Sequence, residues 1–307
     1  MTRFAGLAVP ATLALAGCAA VVPGASAPGP QTLAQAPAQA PAQARGQAQA
    51  PVQSRRSEPI RFSGELTQGG WIKGVVPPGT RSLVLDDRPV SFDEDGNFFI
   101  AFDRDAKPSA RLVASGPQGT SESALAIAPR AWRIEHVNAS PTGSAPSAAF
   151  LALRKPELAR IAAARARSTG AQGWRQAFAW PAQGRISGRF GSQRIYRGQP
   201  GSYHSGLDIA GPTGTQFVAP ADGVVILAAE QPFTLEGKLL MIDHGMGLNS
   251  AFLHCSELLV REGETVRQGQ PIGRIGMTGR ASGPHLHWSV KWNDARLDPI
   301  LLTGPMR

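Results

Sequence analysis

The sequence predicts a mainly β protein in which a small N-terminal β-sandwich and a second, C-terminal β domain are joined by a short helix. The 307 residues are enough for about two domains, and an apolar share of 42% is enough to form a core. Gly (35 residues) and Pro (26 residues) make up about a fifth of the chain against about an eighth in typical proteins, which favours short strands and turns. Only 17% of the residues are charged, which is also below the usual share.

Residues 1–17 have the pattern of a secretory signal peptide. Arg3 precedes an apolar run that is shorter than the about 20 residues a membrane-spanning helix requires. The run ends in Leu15-Ala16-Gly17-Cys18, which matches a bacterial lipobox, and we expect Cys18 to become the lipidated N-terminus. An ordinary signal peptide with an accidental cysteine is the alternative. Ala19, by resemblance to Gram-negative lipoproteins, implies a protein of the outer membrane that faces the periplasm.

Residues 18–57 are predicted to form a flexible tether that follows the lipidated cysteine. Ala, Pro and Gln dominate positions 27–53 without apolar periodicity, so no packed core can form there. This stretch would span roughly 30 Å as a flexible coil and at most about 84 Å when extended. Cys255, the second cysteine of the chain, then has no partner for a structural disulfide, and we expect a buried side chain rather than a nucleophile.

Residues 58–138 are predicted to form the small β-sandwich, because short apolar runs alternate there with turn signals. Tight turns are marked by Val76-Pro77-Pro78-Gly79 and Asp93-Glu94-Asp95-Gly96. The acidic residues lack the ordered ligand spacing of a calcium loop, which favours solvated turns over a calcium site. His136 lies in a strand pattern and is expected to be structural. The predicted strands are 60–66, 71–76, 82–85, 97–102, 110–114, 124–128 and 132–137.

Residues 139–179 are predicted to contain a linker and one basic helix. A helix over 156–167 is indicated because Pro156 lies near its start and Gly170 lies beyond its end. The residues that recur at helical spacing are Leu158, Ile161, Ala162 and Arg165. A solvated helix face is favoured over a surface that contacts anionic glycan or an acidic partner. The basic residues of this region are Arg154, Lys155, Arg160, Arg165, Arg167 and Arg175.

The net charge of the chain is +9, and it suits contact with an anionic envelope polymer. An arginine-rich genome would produce the same excess. The basic residues form no stripe that is interleaved with aromatic residues, so we expect no nucleic-acid partner.

Five of the six histidines lie between positions 204 and 287. His204 and Asp208 are four residues apart, and His285 and His287 would share one face of a strand. His204, Asp208 and His287 can supply three metal ligands and leave a fourth tetrahedral position for water, as a catalytic zinc requires. Each motif is weak alone, since a His-x-His pair also occurs as an ordinary pair of strand residues.

Together and in this order, the motifs resemble the lysostaphin-type, or LytM, family of peptidoglycan zinc endopeptidases. The resemblance extends from about residue 180 to residue 302 and implies an antiparallel β peptidase domain over 180–307. The upstream sandwich is similar to an extra domain of some Gram-negative members. The motifs that carry the resemblance include Gly188-Arg189-Phe190-Gly191, His204-Ser205-Gly206-Leu207-Asp208, Ile242-Asp243-His244-Gly245, Phe252-Leu253-His254, Gly276-Met277-Thr278-Gly279 and Gly283-Pro284-His285-Leu286-His287.

The resemblance assigns one Zn²⁺ to His204, Asp208 and His287, and it assigns catalysis to His254 and His285. It implies hydrolysis of peptide cross-bridges in periplasmic peptidoglycan, with metal-activated water as the nucleophile. The chemistry agrees, because an imidazole can accept the proton of this water and a second can stabilise the oxyanion. The pattern leaves open which histidine has which role.

Two other functions remain as alternatives: a non-enzymatic activator of peptidoglycan amidases and a wall-binding lipoprotein. Tyr196 and Tyr203 flank the first ligand, and one of them is a candidate for oxyanion stabilisation. His244 is expected to be a turn residue. The chain also departs from many family members at two positions. Phe252 replaces a common Tyr, and Ser289 replaces a common acidic residue.

Overall fold

The computed structural model describes residues 58–140 and 147–306. The predicted signal peptide, Cys18 and the tether lie outside these residues. The described part belongs to one compact unit, and its antiparallel sheets confirm the mainly β fold class. Over the described ranges, no helix has the length and apolar character needed to cross a membrane.

The N-terminal part contains two antiparallel sheets with the strand orders β1-β2-β5 and β4-β3-β6-β7. Both sheets contribute to one buried apolar cluster, to which Ile72 and Phe98 belong on one side and Leu83 and Leu112 on the other. The region predicted as a sandwich therefore contains two sheets that bury apolar residues, and β4 is a strand that the sequence pattern did not indicate. The first eight strands are β1 (Arg61–Gly64), β2 (Trp71–Val75), β3 (Ser82–Leu85), β4 (Arg88–Val90), β5 (Asn97–Ala101), β6 (Ser109–Gly116), β7 (Gly119–Ala126) and β8 (Ile134–Val137).

The connecting helix α1 (Ala148–Arg165) begins earlier than predicted and contains Pro156 in its interior. Ser147 caps it, since its Oγ accepts a hydrogen bond from the Phe150 N–H at 3.1 Å. The expectation that Pro156 lies near the helix start is therefore wrong. A capped first turn and a run of good helix formers extend the helix through a proline that removes one backbone hydrogen bond.

The C-terminal part is built on a sheet with the order β18-β14-β15-β16-β20-β12-β9, in which β21 pairs with β20. A smaller sheet has the order β13-β19-β17. The elements are β9 (Ile186–Gly188), β10 (Gln193–Tyr196), β11 (Gln199–Pro200), β12 (Leu207–Ala210), β13 (Gln216–Val218), β14 (Gly223–Phe233), β15 (Gly237–Gly245), β16 (Leu248–Cys255), β17 (Glu257–Leu258), β18 (Thr265–Val266), β19 (Pro271–Arg274), β20 (His285–Trp292), β21 (Ala295–Leu297), α2 (Ile300–Thr303) and a 3₁₀ turn at Gly173–Arg175.

Strand β8 does not belong to the sandwich that the sequence assigned it to. It pairs in parallel with β10, with Ile134 opposite Gln193, and completes a sheet of order β11-β10-β8. Arg104, from the sandwich, donates hydrogen bonds to the Gly191 carbonyl at 3.1 Å and to Gln193 Oε1 at 3.0 Å. The N-terminal part is therefore joined by strand pairing and hydrogen bonds to the segment that precedes His204.

The buried residues of β15 and β16 correct one expectation and confirm another. His244 is fully buried in β15 rather than in a turn; its Nδ1–H donates to the Asp222 carbonyl at 2.8 Å, and its Nε2 accepts from Ser250 Oγ at 2.9 Å. Cys255 is buried as expected, and burial raises the pKa of its thiol to about 12, which excludes a thiolate at neutral pH.

Candidate metal centre

Two of the predicted metal ligands meet because their strands are neighbours. Strands β12 and β20 are antiparallel, and their register places Asp208 directly opposite His287 and Ala210 opposite His285. Asp208 Oδ1 and His287 Nδ1 are 2.9 Å apart. The sheet register therefore produces the contact between two residues that are 79 positions apart in sequence.

The third predicted ligand, His204, lies in the loop before β12 and is held by its own backbone. Its N–H donates to the Ser192 carbonyl at 2.8 Å, and its carbonyl accepts from the Gly191 N–H at 2.9 Å. The ring Nδ1 lies 3.1 Å from the Arg189 carbonyl, which can only accept, so Nδ1 carries the proton. The Nε2 lone pair is consequently free, and this atom is 3.1 Å from Asp208 Oδ1 and 3.2 Å from His287 Nδ1.

These three donor atoms fit a divalent cation. Zinc bonds of about 2.0–2.2 Å with tetrahedral angles place neighbouring ligand atoms about 3.3 Å apart, close to the distances between His204 Nε2, Asp208 Oδ1 and His287 Nδ1. Two glycines leave the room that the ligands occupy. A Cβ on Gly188 would lie 2.3 Å from Asp208 Oδ2, and a Cβ on Gly206 would lie 2.6 Å from His287 Nε2. Two imidazole nitrogens and one carboxylate oxygen suit zinc.

The electrostatics of the three residues also favour cation binding. Burial alone would raise the pKa of Asp208, but contact of its Oδ1 with the imidazoles of His204 and His287 holds it well below its usual range. Burial lowers the pKa of His287 and outweighs its hydrogen bond to Asp208. Burial also lowers the pKa of His204, but contact with the Asp208 carboxylate outweighs burial and raises it. The centre thus holds an ionised carboxylate and, at His287, a neutral imidazole at neutral pH.

His254 reaches the metal face of the sheet through a β-bulge in β16. Leu240 pairs with Phe252 and Lys238 pairs with Cys255, so β16 has one extra residue in this interval. His254 occupies the left-handed region with φ of 64°, which is rare for a residue with a side chain. Bulges redirect side chains in this way next to active sites. His254 therefore joins the side of the sheet opposite the buried Phe252.

The two predicted catalytic histidines have the same hydrogen-bonding pattern. His254 Nδ1 lies 2.8 Å from the Thr278 carbonyl, and His285 Nδ1 lies 2.8 Å from the Gly283 carbonyl. Each Nδ1 is therefore the protonated nitrogen, and each Nε2 keeps its lone pair. The two rings are 5.0 Å apart, and His285 Nε2 is 3.6 Å from Asp208 Oδ1. Burial lowers the pKa of His254 and keeps its ring neutral.

Thr278 is a functional residue that sequence reasoning missed. Besides its carbonyl contact with His254, its Oγ1 donates to the Cys255 carbonyl at 2.9 Å and accepts from the Lys238 N–H at 2.9 Å. It thereby fixes both strands that flank the bulge. The signal was present in the Gly276-Met277-Thr278-Gly279 motif, but nothing in the motif indicates that it holds a histidine.

Two grooves meet at the centre. The first, of about 810 Å³, contains His204 and Asp208 in its wall together with Tyr196 and Tyr203, and we call it the tyrosine groove. The second, of about 780 Å³, begins at Ser205 and His287 and runs beneath helix α1, and we call it the helix groove. A cleft that is open on both sides of the metal site can hold an extended chain across it.

The tyrosines and the two departures from the family pattern can now be placed. The Tyr203 ring has the guanidinium groups of Arg104 and Arg296 within 4.9 Å and 5.9 Å of its centroid, and these contacts hold it in the groove wall. Phe252 stacks on Trp288 with ring centroids 6.5 Å apart, inside the core and away from the metal face. Ser289 lines the helix groove.

Comparison with known proteins agrees with this geometry. A family profile named peptidase family M23 matches residues 202–299, the interval that holds all five predicted site residues. These residues form a peptidase family M23 domain. A solved structure from Pseudomonas aeruginosa, provisionally assigned to peptidase M23, is 29% identical in sequence and superimposes with a TM-score of 0.61. The match covers 79% of this chain and 97% of the Pseudomonas chain. The M23 fold thus accounts for the C-terminal sheets, and the similarity extends into the N-terminal part.

Relatives of the M23 domain include named wall enzymes. The chain is 39% identical over 110 residues to the peptidoglycan DD-endopeptidase ShyA of Vibrio cholerae. The aligned stretch covers 34% of this chain and 24% of the relative. The chain is 37% identical over 125 residues to the DD-carboxypeptidase/endopeptidase Mpg of Neisseria meningitidis. This aligned stretch covers 39% of this chain and 27% of the relative. The chain thus spans about a quarter of the length of these two relatives.

Proposed function

We propose that this chain is a zinc-dependent endopeptidase that hydrolyses the peptide cross-bridges of peptidoglycan. The observation that carries the proposal is the convergence of His204 Nε2, Asp208 Oδ1 and His287 Nδ1 within 3.2 Å of one another, with two further imidazoles beside them. The relatives named as peptidoglycan DD-endopeptidases support the substrate class. The cleft that continues on both sides of the site favours cleavage within a chain over removal of a terminal residue.

The five residues divide the chemistry between them. His204, Asp208 and His287 would hold one Zn²⁺ per chain, and the bound metal would polarise the peptide carbonyl and activate a water molecule. His254 and His285 each present an unprotonated Nε2, as their carbonyl contacts require. One of them accepts the proton of the attacking water at Nε2 and passes it to the leaving amine, and the other would stabilise the tetrahedral oxyanion in its protonated form, in which Nε2 also carries a proton.

The direct test uses the purified full chain with isolated sacculi. We expect release of peptides that derive from cross-links, identified by mass, and loss of this release after chelation of the metal. His254→Ala should lower the rate about 10²-fold to 10⁴-fold, the usual contribution of a general acid–base, while it retains the metal. Release at the wild-type rate by His254→Ala would refute the assigned role.

The two non-enzymatic alternatives predict different behaviour. An activator of amidases has no need of an intact ligand set, and stimulation of an amidase that persists in Asp208→Asn would support it. A structural wall-binding lipoprotein would bind sacculi after chelation and would lose this binding as salt screens its basic surface. The complete set of five residues favours the enzyme.

The proposal places this enzyme on the periplasmic side of the outer membrane through a lipid at Cys18. It is supported by the lipobox, by Ala19 after the cysteine and by the Ala/Pro/Gln-rich residues 27–53, which are long enough to let the peptidase search the nearby wall. Cys18→Ser should move the protein from the membrane fraction to the soluble fraction and abolish labelling with radioactive palmitate. An unchanged membrane fraction would contradict the anchor.

A further inference from the structure

The helix groove has a positively charged end about 13 Å from His287. Strand β20 runs along its floor, and His287, Ser289 and Lys291 project from the same face at alternate positions. At about 3.3 Å per residue, four strand positions separate His287 from Lys291 by about 13 Å. Leu253 on the floor and Ile161 on helix α1 make the middle of the groove apolar.

Three cations line this far end: Arg165 from helix α1, Lys291 from β20 and Arg296 from β21. The Nη1 atom of Arg165 is buried and has no hydrogen-bond partner among residues 58–140 and 147–306. Within the same described ranges, neither Arg165 nor Arg296 takes part in an ion pair. Lys291 Nζ is 3.5 Å from Asp294 Oδ1, whose 93% exposed side chain is screened by water.

Among the described residues, the carboxylates of the groove form no ion pair with Arg165 or Arg296. Glu236 is engaged by Arg154 in a close bidentate contact, and Glu157 binds the same guanidinium at 2.9 Å. Asp294 points into solvent. Burial, and after it the positive charge of Arg296, lowers the pKa of Arg165 to about 10, so the guanidinium is still protonated at neutral pH. A buried cation without a partner is costly, and an anion that enters the groove would relieve this cost.

We propose that Arg165, Lys291 and Arg296 form a subsite that binds a free carboxylate of the peptidoglycan stem peptide whose cross-link lies at the metal centre. The inference rests on the proposed function and adds a determinant of substrate choice to it. The 13 Å span corresponds to about four residues of extended peptide. Arg165 supplies the unpaired, planar donor group that matches a carboxylate.

The test compares two forms of one defined cross-linked muropeptide, the first with its carboxylates free and the second with them amidated. The full chain should cleave the acid form with a kcat/KM about 10-fold to 100-fold higher, the range expected for a hydrogen-bonded charge pair. Arg165→Gln should lose most of this preference through a higher KM, with kcat nearly unchanged. Arg160→Gln, an exposed arginine of the same helix outside the groove, is the matched control and should keep the preference.

Stability provides a second readout that a purely structural arginine would not produce. Since Arg165 is a partly buried charge whose Nη1 has no hydrogen-bond partner among the described residues, Arg165→Gln should leave the melting temperature unchanged or raise it while binding weakens. If this variant does not fold, Lys291→Gln is measured in the same assay and should also lose the preference.

Each remaining outcome decides the proposal. Equal cleavage of the acid and amide forms by the wild type would overturn the subsite and leave the endopeptidase intact. An acid preference that survives in Arg165→Gln and Lys291→Gln would also overturn it. If neither form is cleaved, the proposed function fails, and calorimetry with the two peptides then decides the subsite: tighter binding of the acid form that depends on Arg165 supports it, and equal binding overturns it.

Discussion

At the scale of single residues, the centre depends on backbone carbonyls as much as on its five side chains. The carbonyls of Arg189, Thr278 and Gly283 accept hydrogen bonds from the Nδ1–H groups of His204, His254 and His285, respectively, so Nε2 is the free nitrogen in the neutral form of all three. Their spacing to Asp208 and His287 singled out His204 and His285 in the sequence, whereas His254 was indicated by the family resemblance. The sequence could not identify the carbonyls, since every residue type carries one.

We expect the space left by Gly188 to be necessary for metal binding. A methyl group at this position would meet Asp208 Oδ2 at 2.3 Å, and the carboxylate would have to move out of the ligand geometry. Gly188→Ala should therefore weaken zinc binding about 10-fold or more, measured by competition with a chromophoric chelator. Gly283→Ala is the control, because its Cβ would meet nothing within 4 Å. Equal zinc affinity in both variants would contradict the tight fit.

His244 should make the stability of the protein depend on pH. Burial lowers the pKa of its ring to about 4, whereas the imidazole of the unfolded chain titrates near 6.5. Between these values the unfolded state binds more protons, so the free energy of unfolding falls as the pH decreases from 6.5 to 4. The loss amounts to about 3 kcal/mol at most. His244→Asn should show a shallower loss in urea titrations across this range, and a slope equal to that of the wild type would count against the assignment.

At the scale of elements, the pairing register of β12, β16 and β20 places most of the site residues, and the bulge in β16 cannot be predicted from the sequence. The His285-Leu286-His287 alternation predicts a shared face, and the structure has both residues on β20 opposite β12. The bulge that brings His254 to the same face has no sequence signature, because simple alternation would place it with Phe252 in the core. The helix start was also mispredicted, since Pro156 was given more weight than the capping Ser147.

Pro156 should destabilise helix α1. Its ring occupies the interior of an 18-residue helix and removes one backbone hydrogen bond. Pro156→Ala should raise the free energy of unfolding by about 1–2 kcal/mol, after allowance for the greater freedom of the unfolded chain. Lys155→Ala, at the neighbouring exposed position, should change it by less than about 0.5 kcal/mol. An unchanged denaturant midpoint for Pro156→Ala would contradict this.

At the scale of the whole molecule, the N-terminal part supports the site rather than simply preceding it. The sequence predicted a self-contained sandwich over 58–138, but β8 pairs with β10, and Arg104 binds the Gly191 carbonyl. The N–H of Gly191 in turn donates to the carbonyl of His204. Pairing of this kind could not be predicted, since strand propensity identifies a strand without its partner.

The connection through Arg104 predicts an effect across the two parts. Arg104→Met leaves the Gly191 carbonyl and Gln193 without their donor, and the loop that carries His204 should lose its fixed position. We expect zinc affinity to fall about 10-fold, as for other partners that orient metal ligands. Arg111→Met, which removes an exposed arginine of β6, is the control. A zinc affinity unaffected by Arg104→Met would show that the sandwich does not support the centre.

The most direct measurement is the zinc content of the purified chain after equilibrium dialysis, determined by elemental analysis for the wild type and for Asp208→Asn. The convergence of two imidazole nitrogens and one carboxylate oxygen predicts one zinc ion per wild-type chain and a large loss in the variant. A wild-type chain that retains no zinc, or an Asp208→Asn chain that retains as much as the wild type, would contradict the metal centre.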